Sequence, residues 1–270
     1  MSPDTTEHEY VLKVRDLTVD IRLGSSESRV VDGVSIEVHA GETVGLVGES
    51  GSGKSMFART VVRLPPPNLE MRTNGAIEVA GYDIYELGVA ELMKSRRAGT
   101  VGLIFQDPVA SLNPTMRVGE QVREALQSST AAQFTVEGLL ERVGLHPAVS
   151  RRYPHELSGG QRQRIVIAIA LAGNPRLLIA DEATTALDPQ VQRAIVDLLE
   201  DLKNDNNAGL LMISHDLEMI AQTCSRIYVM HNGQIVETNR AKELFESPEH
   251  WYTKKLIGAS QRLAFGVGEG

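Results

Sequence analysis

The sequence predicts an α/β fold in which a mostly parallel sheet is joined by an antiparallel β subdomain and an inserted α-helical subdomain. Short apolar runs that each end at a polar or glycine residue are typical of buried parallel strands. Two longer runs near the start alternate apolar and polar residues, as half-buried antiparallel strands do. A long stretch with helical periodicity separates two of the short runs and predicts the inserted subdomain.

Composition and charge narrow the class of protein. The chain has 270 residues with 42% apolar and 23% charged, an ordinary globular balance that supports a large core. The single cysteine, Cys224, excludes an internal disulfide and favours a reducing, cytoplasmic location. The formal net charge of −8 counts against broad binding of nucleic-acid phosphates, so no nucleic-acid partner is expected.

Two further features bear on membranes. Residues 1–9 are polar and acidic and lack the apolar segment of a secretory signal. The longest apolar run, residues 165–173, is about half of the roughly 18 residues that indicate a membrane-spanning helix. We therefore expect any membrane role to run through partner proteins.

The first elements along the chain are expected to form the antiparallel subdomain. Residues 12–21 and 29–38 alternate apolar and polar side chains on either side of a turn at Gly24, Ser25 and Ser26. Residues 76–79 are expected to extend the same sheet.

Four buried strands are expected in the parallel sheet. They are residues Thr43–Val47, 101–105, 177–180 and 210–213. The residues directly after them are polar or glycine: Gly48, Gln106, Asp181 with Glu182, and Ser214 with His215. Since open parallel sheets bind ligands at the carboxyl ends of their strands, we expect these groups to share one site.

The remaining elements complete a single domain over residues 1–270. Its core is expected at about 10–106 and 158–260, its helical subdomain at 107–157, and flexible tails at 1–9 and 266–270. Helices are predicted at 118–126, at 136–143, from about Arg162, at Leu217–Thr223 and as a turn at 242–245. A hairpin about Asn232 and Gly233 joins strands at 226–230 and 234–237.

A phosphate-binding pattern follows the first parallel strand directly and precedes a helical run. Its residues are Gly48, Glu49, Ser50, Gly51, Ser52, Gly53, Lys54 and Ser55. Glycines let backbone N–H groups surround phosphate oxygens at a helix N-terminus, Lys54 brings a full charge to the β- and γ-phosphates, and Ser55 is expected to ligate Mg²⁺. The alternative, a glycine- and serine-rich turn before a core helix, does not explain this strand and helix context.

An apolar strand delivers two adjacent carboxylates, Asp181 and Glu182, to its tip. Asp181 is expected to hold Mg²⁺, and Glu182 to act as general base on an attacking water. Taken alone, the pair could be a solvated helix start, where acidic residues suit the dipole. Together with a phosphate-binding loop in the same chain, the catalytic interpretation is favoured.

A second anion-binding helix start lies at Leu157, Ser158, Gly159, Gly160 and Gln161. With this pentapeptide the chain resembles the ABC ATPase family over nearly its whole length. The resemblance implies a P-loop NTPase core and ATP held between the phosphate-binding loop of one subunit and the pentapeptide of another.

The resemblance also assigns roles to single residues. It implies that Gln106 senses Mg²⁺ and the attacking water, and that Asp188, at the end of Ala186-Leu187-Asp188, belongs to a loop crossing the dimer interface. It implies that His215 is the switch histidine, although a lone histidine after a buried strand is more often structural. Ile21 stands where family members offer an aromatic ring to adenine, so we expect loose discrimination between bases.

Finer motifs resemble those of dipeptide, oligopeptide and nickel importer ATPases. They are Phe105-Gln106-Asp107-Pro108, Ser111-Leu112-Asn113-Pro114, Tyr153-Pro154-His155-Glu156 and residues 251–256. On its own, 111–114 could be a simple Asx/Pro turn. The resemblance implies an ATPase coupled to solute import, a second nucleotide-binding subunit of sister sequence, two permease subunits, a solute-binding protein, and a peripheral place on the cytoplasmic membrane face. A non-transport ABC ATPase and a regulatory nucleotide-binding subunit stay as alternatives.

Overall fold

A computed structural model describes residues 10–23, 26–66, 69–85, 100–128, 134–183 and 188–264. The expected tails at 1–9 and 266–270, part of the first turn (Gly24 and Ser25), and Ala186 and Leu187 lie outside these ranges. Within the described ranges, none of the helices combines the length and apolar character that a bilayer span requires.

The described strands form two sheets. They are β1 (Tyr10–Leu23), β2 (Ser26–His39), β3 (Thr43–Val47), β4 (Glu70–Val79), β5 (Tyr82–Asp83), β6 (Val101–Ile104), β7 (Leu177–Asp181), β8 (Gly209–Ser214), β9 (Arg226–His231) and β10 (Gln234–Arg240). The first sheet is antiparallel in the order β2-β1-β4-β5, and the second runs β10-β9-β3-β8-β7-β6. All neighbours in the second sheet are parallel except β9 and β10, so the predicted mixed but mostly parallel fold is confirmed.

The described helices connect and cover these strands. They are α1 (Lys54–Val61), α2 (Pro108–Ser111), α3 (Val118–Ser128), α4 (Val136–Arg142), α5 (Gly159–Leu171), α6 (Pro189–Asn206), α7 (Leu217–Thr223), α8 (Ala241–Glu246) and α9 (Trp251–Ala264), with 3-10 turns at Pro147–Arg151 and Pro154–Glu156. Within its described residues, the stretch between β6 and α5 contains α2, α3, α4 and the two 3-10 turns, and no strand.

Strand alternation divides the core into two layers. Leu178 and Ala180 of β7 point into one cluster with the helices, whereas Leu177 and Ile179 point into a second cluster with α1 and the antiparallel sheet. Successive side chains of a strand leave opposite faces, so a strand with both faces buried reads as a continuous apolar run. The central strands β3, β7 and β8 are therefore buried on both faces, and the polar and glycine residues that follow them lie at the strand ends.

Several elements differ from their predicted bounds. α5 begins at Gly159 instead of near Arg162, because Ser158 caps it: the Ser158 Oγ accepts from the Gln161 N–H, and Gln161 Oε1 accepts from the Ser158 N–H. The helices α6 and α9 were not predicted. One face of α6 is buried through Ile195, Val196, Leu199 and Leu202, which have the spacing of an amphipathic helix. Residues 251–256 of α9 were considered only as a sequence motif.

Candidate active site

A cavity of about 690 Å³ lies at the carboxyl ends of β3, β7 and β8. It is lined by Val30, Glu49, Ser50, Gly51, Gly53, Lys54, Ser55, Met56, Gln106, Glu182 and His215. Five separate segments of the sequence thus meet at the edge of the sheet where the strand-end residues were expected to converge.

The loop after β3 is organised around Lys54. This side chain is 4% exposed, and its Nζ donates to the carbonyl oxygens of Gly48 (2.8 Å) and Glu49 (2.9 Å) and to Ser52 Oγ (3.2 Å). Burial lowers the pKa of Lys54, although the carboxylates of Glu182 and Asp181 favour its charged form. The ammonium group therefore closes the loop on itself and stands beside the cavity as a partly desolvated cation.

The same loop presents an uncapped helix start. α1 begins at Lys54, its N-cap residue Gly53 has φ +107°, and no side chain accepts a hydrogen bond from the first turn. A Cβ on Gly53 would lie 2.4 Å from the Val30 carbonyl oxygen, so glycine is required by both conformation and space. Free first-turn N–H groups and the positive dipole end suit a phosphate.

Asp181 lies behind the loop and is 4% exposed. The Ser55 Oγ donates to its Oδ1 at 3.0 Å. Burial raises the pKa of Asp181, and the hydrogen bond from Ser55 opposes that shift only in part. A carboxylate in this position would gain from a cation beside it.

Ser55 and Asp181 fit a hard divalent cation, because hydroxyl and carboxylate oxygens are the ligands Mg²⁺ prefers and the two side chains are already in contact. Among the described residues, no group of three or more His, Cys, Asp and Glu side chains could hold a metal on its own. Mg²⁺ at this position would therefore need oxygens from a bound phosphate ligand, as it commonly does.

Glu182 stands one residue beyond β7 and faces the cavity. Its backbone has φ +48°, a strained conformation for a non-glycine residue, and its N–H donates to the Ile213 carbonyl at 2.9 Å. Gln106 Nε2 donates to Glu182 Oε2 at 3.0 Å, and His215 Nδ1 lies 3.4 Å from the same oxygen. The three side chains predicted from three strand ends thus meet at one carboxylate oxygen.

Other predicted site residues lie elsewhere. Ile21 packs among the residues of the antiparallel sheet, and Val30 of β2 lines the cavity instead, because neighbouring positions of a twisted sheet face different surroundings. The pentapeptide residues do not line the cavity. Asp188 caps α6 by accepting from the Val191 N–H at 3.0 Å. A Cβ on Gly160 would lie 2.8 Å from Val191, so the starts of α5 and α6 are neighbours.

Sequence reasoning missed Val30 and Met56 on the cavity wall and the contact from α9 to the loop. The Glu49 N–H donates to the Tyr252 hydroxyl at 2.9 Å across 203 residues of sequence. Val30 sits at an outward position of an alternating strand, and no local pattern distinguishes it. The aromatic pair Trp251 and Tyr252 was visible as a motif, but its place against the loop depends on the packing of α9.

Comparisons with known proteins find similar sequences over most of the chain. A family model described as "ABC transporter" matches residues 31–185. The chain is 42% identical over 260 residues to "Oligopeptide transport ATP-binding protein OppD" of Bacillus subtilis (strain 168), covering 94% of this chain and 72% of that protein. It is 40% identical over 268 residues to "Dipeptide transport ATP-binding protein DppD" of the same strain, covering 97% and 80%.

A solved structure has the same fold. It is the dimeric post-hydrolysis state of the ATP-binding cassette MJ0796 bound to ADP and Pi, with a TM-score of 0.73 and 26% identity, covering 85% of this chain and 98% of the other. That structure is a dimer with nucleotide products bound.

Proposed function

The chain belongs to the ABC transporter family, and on that premise we propose that it is the ATP-hydrolysing subunit of an importer of peptides, nickel or a related small solute. The meeting of Gln106, Glu182 and His215 at one carboxylate oxygen, beside the buried Lys54, is the observation that carries the proposal. A module that only binds nucleotide does not require the strained backbone and the hydrogen-bonded carboxylate of Glu182 at the phosphate end of its cavity.

Each residue of the site has a separate role in the transfer of the phosphoryl group to water. Residues 48–55 hold the phosphates through backbone N–H groups, and Lys54 exchanges its contacts with the Gly48 and Glu49 carbonyls for contacts with the β- and γ-phosphate oxygens. Glu182 accepts a hydrogen bond from the attacking water and orients it for in-line attack. Gln106 and His215 hold the Glu182 carboxylate in that orientation.

A divalent cation belongs to this assignment. Ser55 and Asp181, with Gln106 at the edge of the cavity, would hold Mg²⁺, which when bound would offset negative charge on the phosphates. The Ser55 hydroxyl and the Asp181 carboxylate are in contact with each other, so a single ion could reach both oxygens.

The pentapeptide residues Ser158, Gly159, Gly160 and Gln161 are assigned to the cavity of a second subunit. They form a capped helix start away from the cavity of their own chain, and an anion-binding helix start needs an anion from elsewhere. Asp188, at the neighbouring start of α6, would lie in the same interface. The partner would be a sister nucleotide-binding subunit, and ATP would be held between the two.

Transport requires that the closing of the two nucleotide-binding subunits on ATP changes the conformation of membrane proteins bound to them. We assign residues 107–157 to a helical subdomain that meets two permease subunits at the cytoplasmic face of the membrane, with Gln106 linking it to the cavity. Differential binding of ATP by open and closed pairs then biases the permeases between conformations. Peptide cargo is supported by the names of the two Bacillus subtilis relatives, and an extracytoplasmic solute-binding protein would deliver it.

The test is Mg²⁺-dependent ATPase activity of the purified membrane complex with candidate solute-binding proteins, loaded and unloaded. Wild type is compared with Glu182→Gln, which keeps the shape of the side chain and removes its basicity. We expect one loaded binding protein to stimulate the wild type and the variant to lose about a hundredfold or more in turnover. ATPase activity that does not change with any membrane partner or binding protein would refute the importer proposal. Full ATPase activity of Glu182→Gln would refute the assignment of Glu182 as the base.

A further inference from the structure

The phosphate-binding loop is supported from behind by the last helix of the described chain. Tyr252, in the first turn of α9, is fully buried, and its hydroxyl accepts a hydrogen bond from the Glu49 N–H at 2.9 Å. One turn further along, Lys255 Nζ lies 3.0 Å from Glu49 Oε1. A single residue of the loop is thus held by two side chains of α9, through its backbone and through its carboxylate.

The position of Tyr252 is itself determined by its surroundings. The ring packs against the His231 ring with centroids 3.9 Å apart, and it belongs to the core cluster beneath the large sheet. Glu237 accepts hydrogen bonds from the Glu249 and His250 N–H groups, both at 2.9 Å, and so holds the chain just before α9. Because the ring has little freedom, the hydroxyl presents a fixed acceptor to the loop.

The turn between β9 and β10 supports the loop at a second point. The Gly233 N–H donates to the Ser52 carbonyl at 3.0 Å, and a Cβ on Gly48 would lie 2.2 Å from the Met230 carbonyl oxygen. These contacts fix the loop at Ser52 and at Gly48, and the acceptor for the Glu49 N–H is the Tyr252 hydroxyl. Without the hydroxyl, this half-buried N–H would lack the acceptor that the structure gives it.

We propose that Tyr252 is a positioning residue for nucleotide binding: its hydroxyl holds the Glu49 peptide so that residues 48–55 have their phosphate-binding shape before the nucleotide arrives. The inference rests on the proposed nucleotide site. A preformed loop does not have to be ordered by its ligand, and the nucleotide then binds more tightly. Because the hydrogen bond from the Glu49 N–H to the Tyr252 hydroxyl is kept throughout the reaction, it stabilises the bound ground state and the transition state equally.

The expected kinetic signature of Tyr252→Phe is therefore a change in affinity with turnover preserved. The substitution keeps the ring and removes only the hydroxyl. Loss of one such hydrogen bond corresponds to about a three- to tenfold weakening. We expect the KM for Mg·ATP and the Kd for Mg·ADP both to rise by about that factor, while kcat stays within about twofold.

The matched control is Tyr228→Phe. Tyr228 is 5% exposed, and its hydroxyl accepts from the Glu37 N–H at 3.3 Å and from Arg226 Nη1 at 3.0 Å, contacts that involve no residue of the cavity. Both variants lose a buried hydroxyl that serves a backbone N–H, so both should lower Tm. Only Tyr252→Phe should move KM and Kd.

The experiment is steady-state ATPase kinetics of the purified membrane complex and calorimetric ADP titration of the full chain, each for wild type, Tyr252→Phe, Tyr228→Phe and Lys54→Ala. Three results would each overturn the positioning role of Tyr252. They are unchanged KM and Kd in Tyr252→Phe, an equal rise of KM and Kd in Tyr228→Phe, and a fall in kcat at constant KM in Tyr252→Phe. Lys54→Ala separates the two proposals: if it binds ADP as the wild type does, the proposed nucleotide site is wrong, whereas a loss in Lys54→Ala alone refutes only the role of Tyr252.

Discussion

Replacing Gly53 by alanine tests whether the loop geometry is enforced by its neighbours. Its φ of +107° is unfavourable for a residue with a Cβ, which we take as about 1–2 kcal/mol. The new Cβ would also lie 2.4 Å from the Val30 carbonyl oxygen, an overlap that forces the loop or β2 to move and adds about 1–3 kcal/mol. The expected total is a loss of about 2–5 kcal/mol in the free energy of unfolding.

Gly51→Ala is the matched control. Gly51 has φ +82°, but a Cβ there would meet nothing within 4 Å, so only the conformational part of about 1–2 kcal/mol should appear. At about 2 °C per kcal/mol for a chain of this size, Gly53→Ala should lower Tm by about 4–10 °C and Gly51→Ala by about 2–4 °C. The assay is thermal unfolding followed by circular dichroism without nucleotide. Equal shifts in the two variants would show that the Val30 carbonyl does not constrain the loop.

Two further predictions concern the acid beside the loop and the base-binding wall. Burial raises the pKa of Asp181, so the wild type loses stability as the pH rises from the unfolded pKa through the folded one. Asp181→Asn should therefore gain Tm over the wild type as the pH rises above about 4, and a pH-independent difference in thermal melts would contradict this. Within the described chain, Val30 and Met56 supply the aliphatic wall of the cavity. The KM values for ATP and GTP should therefore agree within about threefold. A KM for GTP more than tenfold higher in competition assays would show base recognition that this wall does not provide.

Much of the site was visible in the sequence because each part is a local pattern. The strand-end residues Gln106, Glu182 and His215 each follow an apolar run, and parallel strands bring their carboxyl ends together. The phosphate-binding loop is recognisable from glycine spacing alone, since the spacing reflects backbone conformations that only glycine adopts easily.

The prediction was less complete where long-range packing decides. Val30 instead of Ile21 lines the cavity, because a strand pattern shows which face of β1 or β2 is buried but not what covers the other face. The helix α6 was missed although its signals are local: Asp188 caps it, Pro189 is its first residue, and its buried apolar residues have helical spacing. The start of α5 was placed three residues late because the reciprocal cap between Ser158 and Gln161 was not taken into account.

The sequence by itself thus determined the α/β class, the phosphate-binding loop, the carboxylate pair and the family. These depend on residue types at short spacing, where backbone geometry leaves few alternatives. Only the tertiary structure decided that Gln106 and His215 contact the same oxygen of Glu182 and that Val30 lines the cavity. It also decided that the Tyr252 hydroxyl accepts from the Glu49 N–H, 203 positions away in the sequence. Such contacts arise when helices and strands pack, and packing depends on the shape of every neighbour at once.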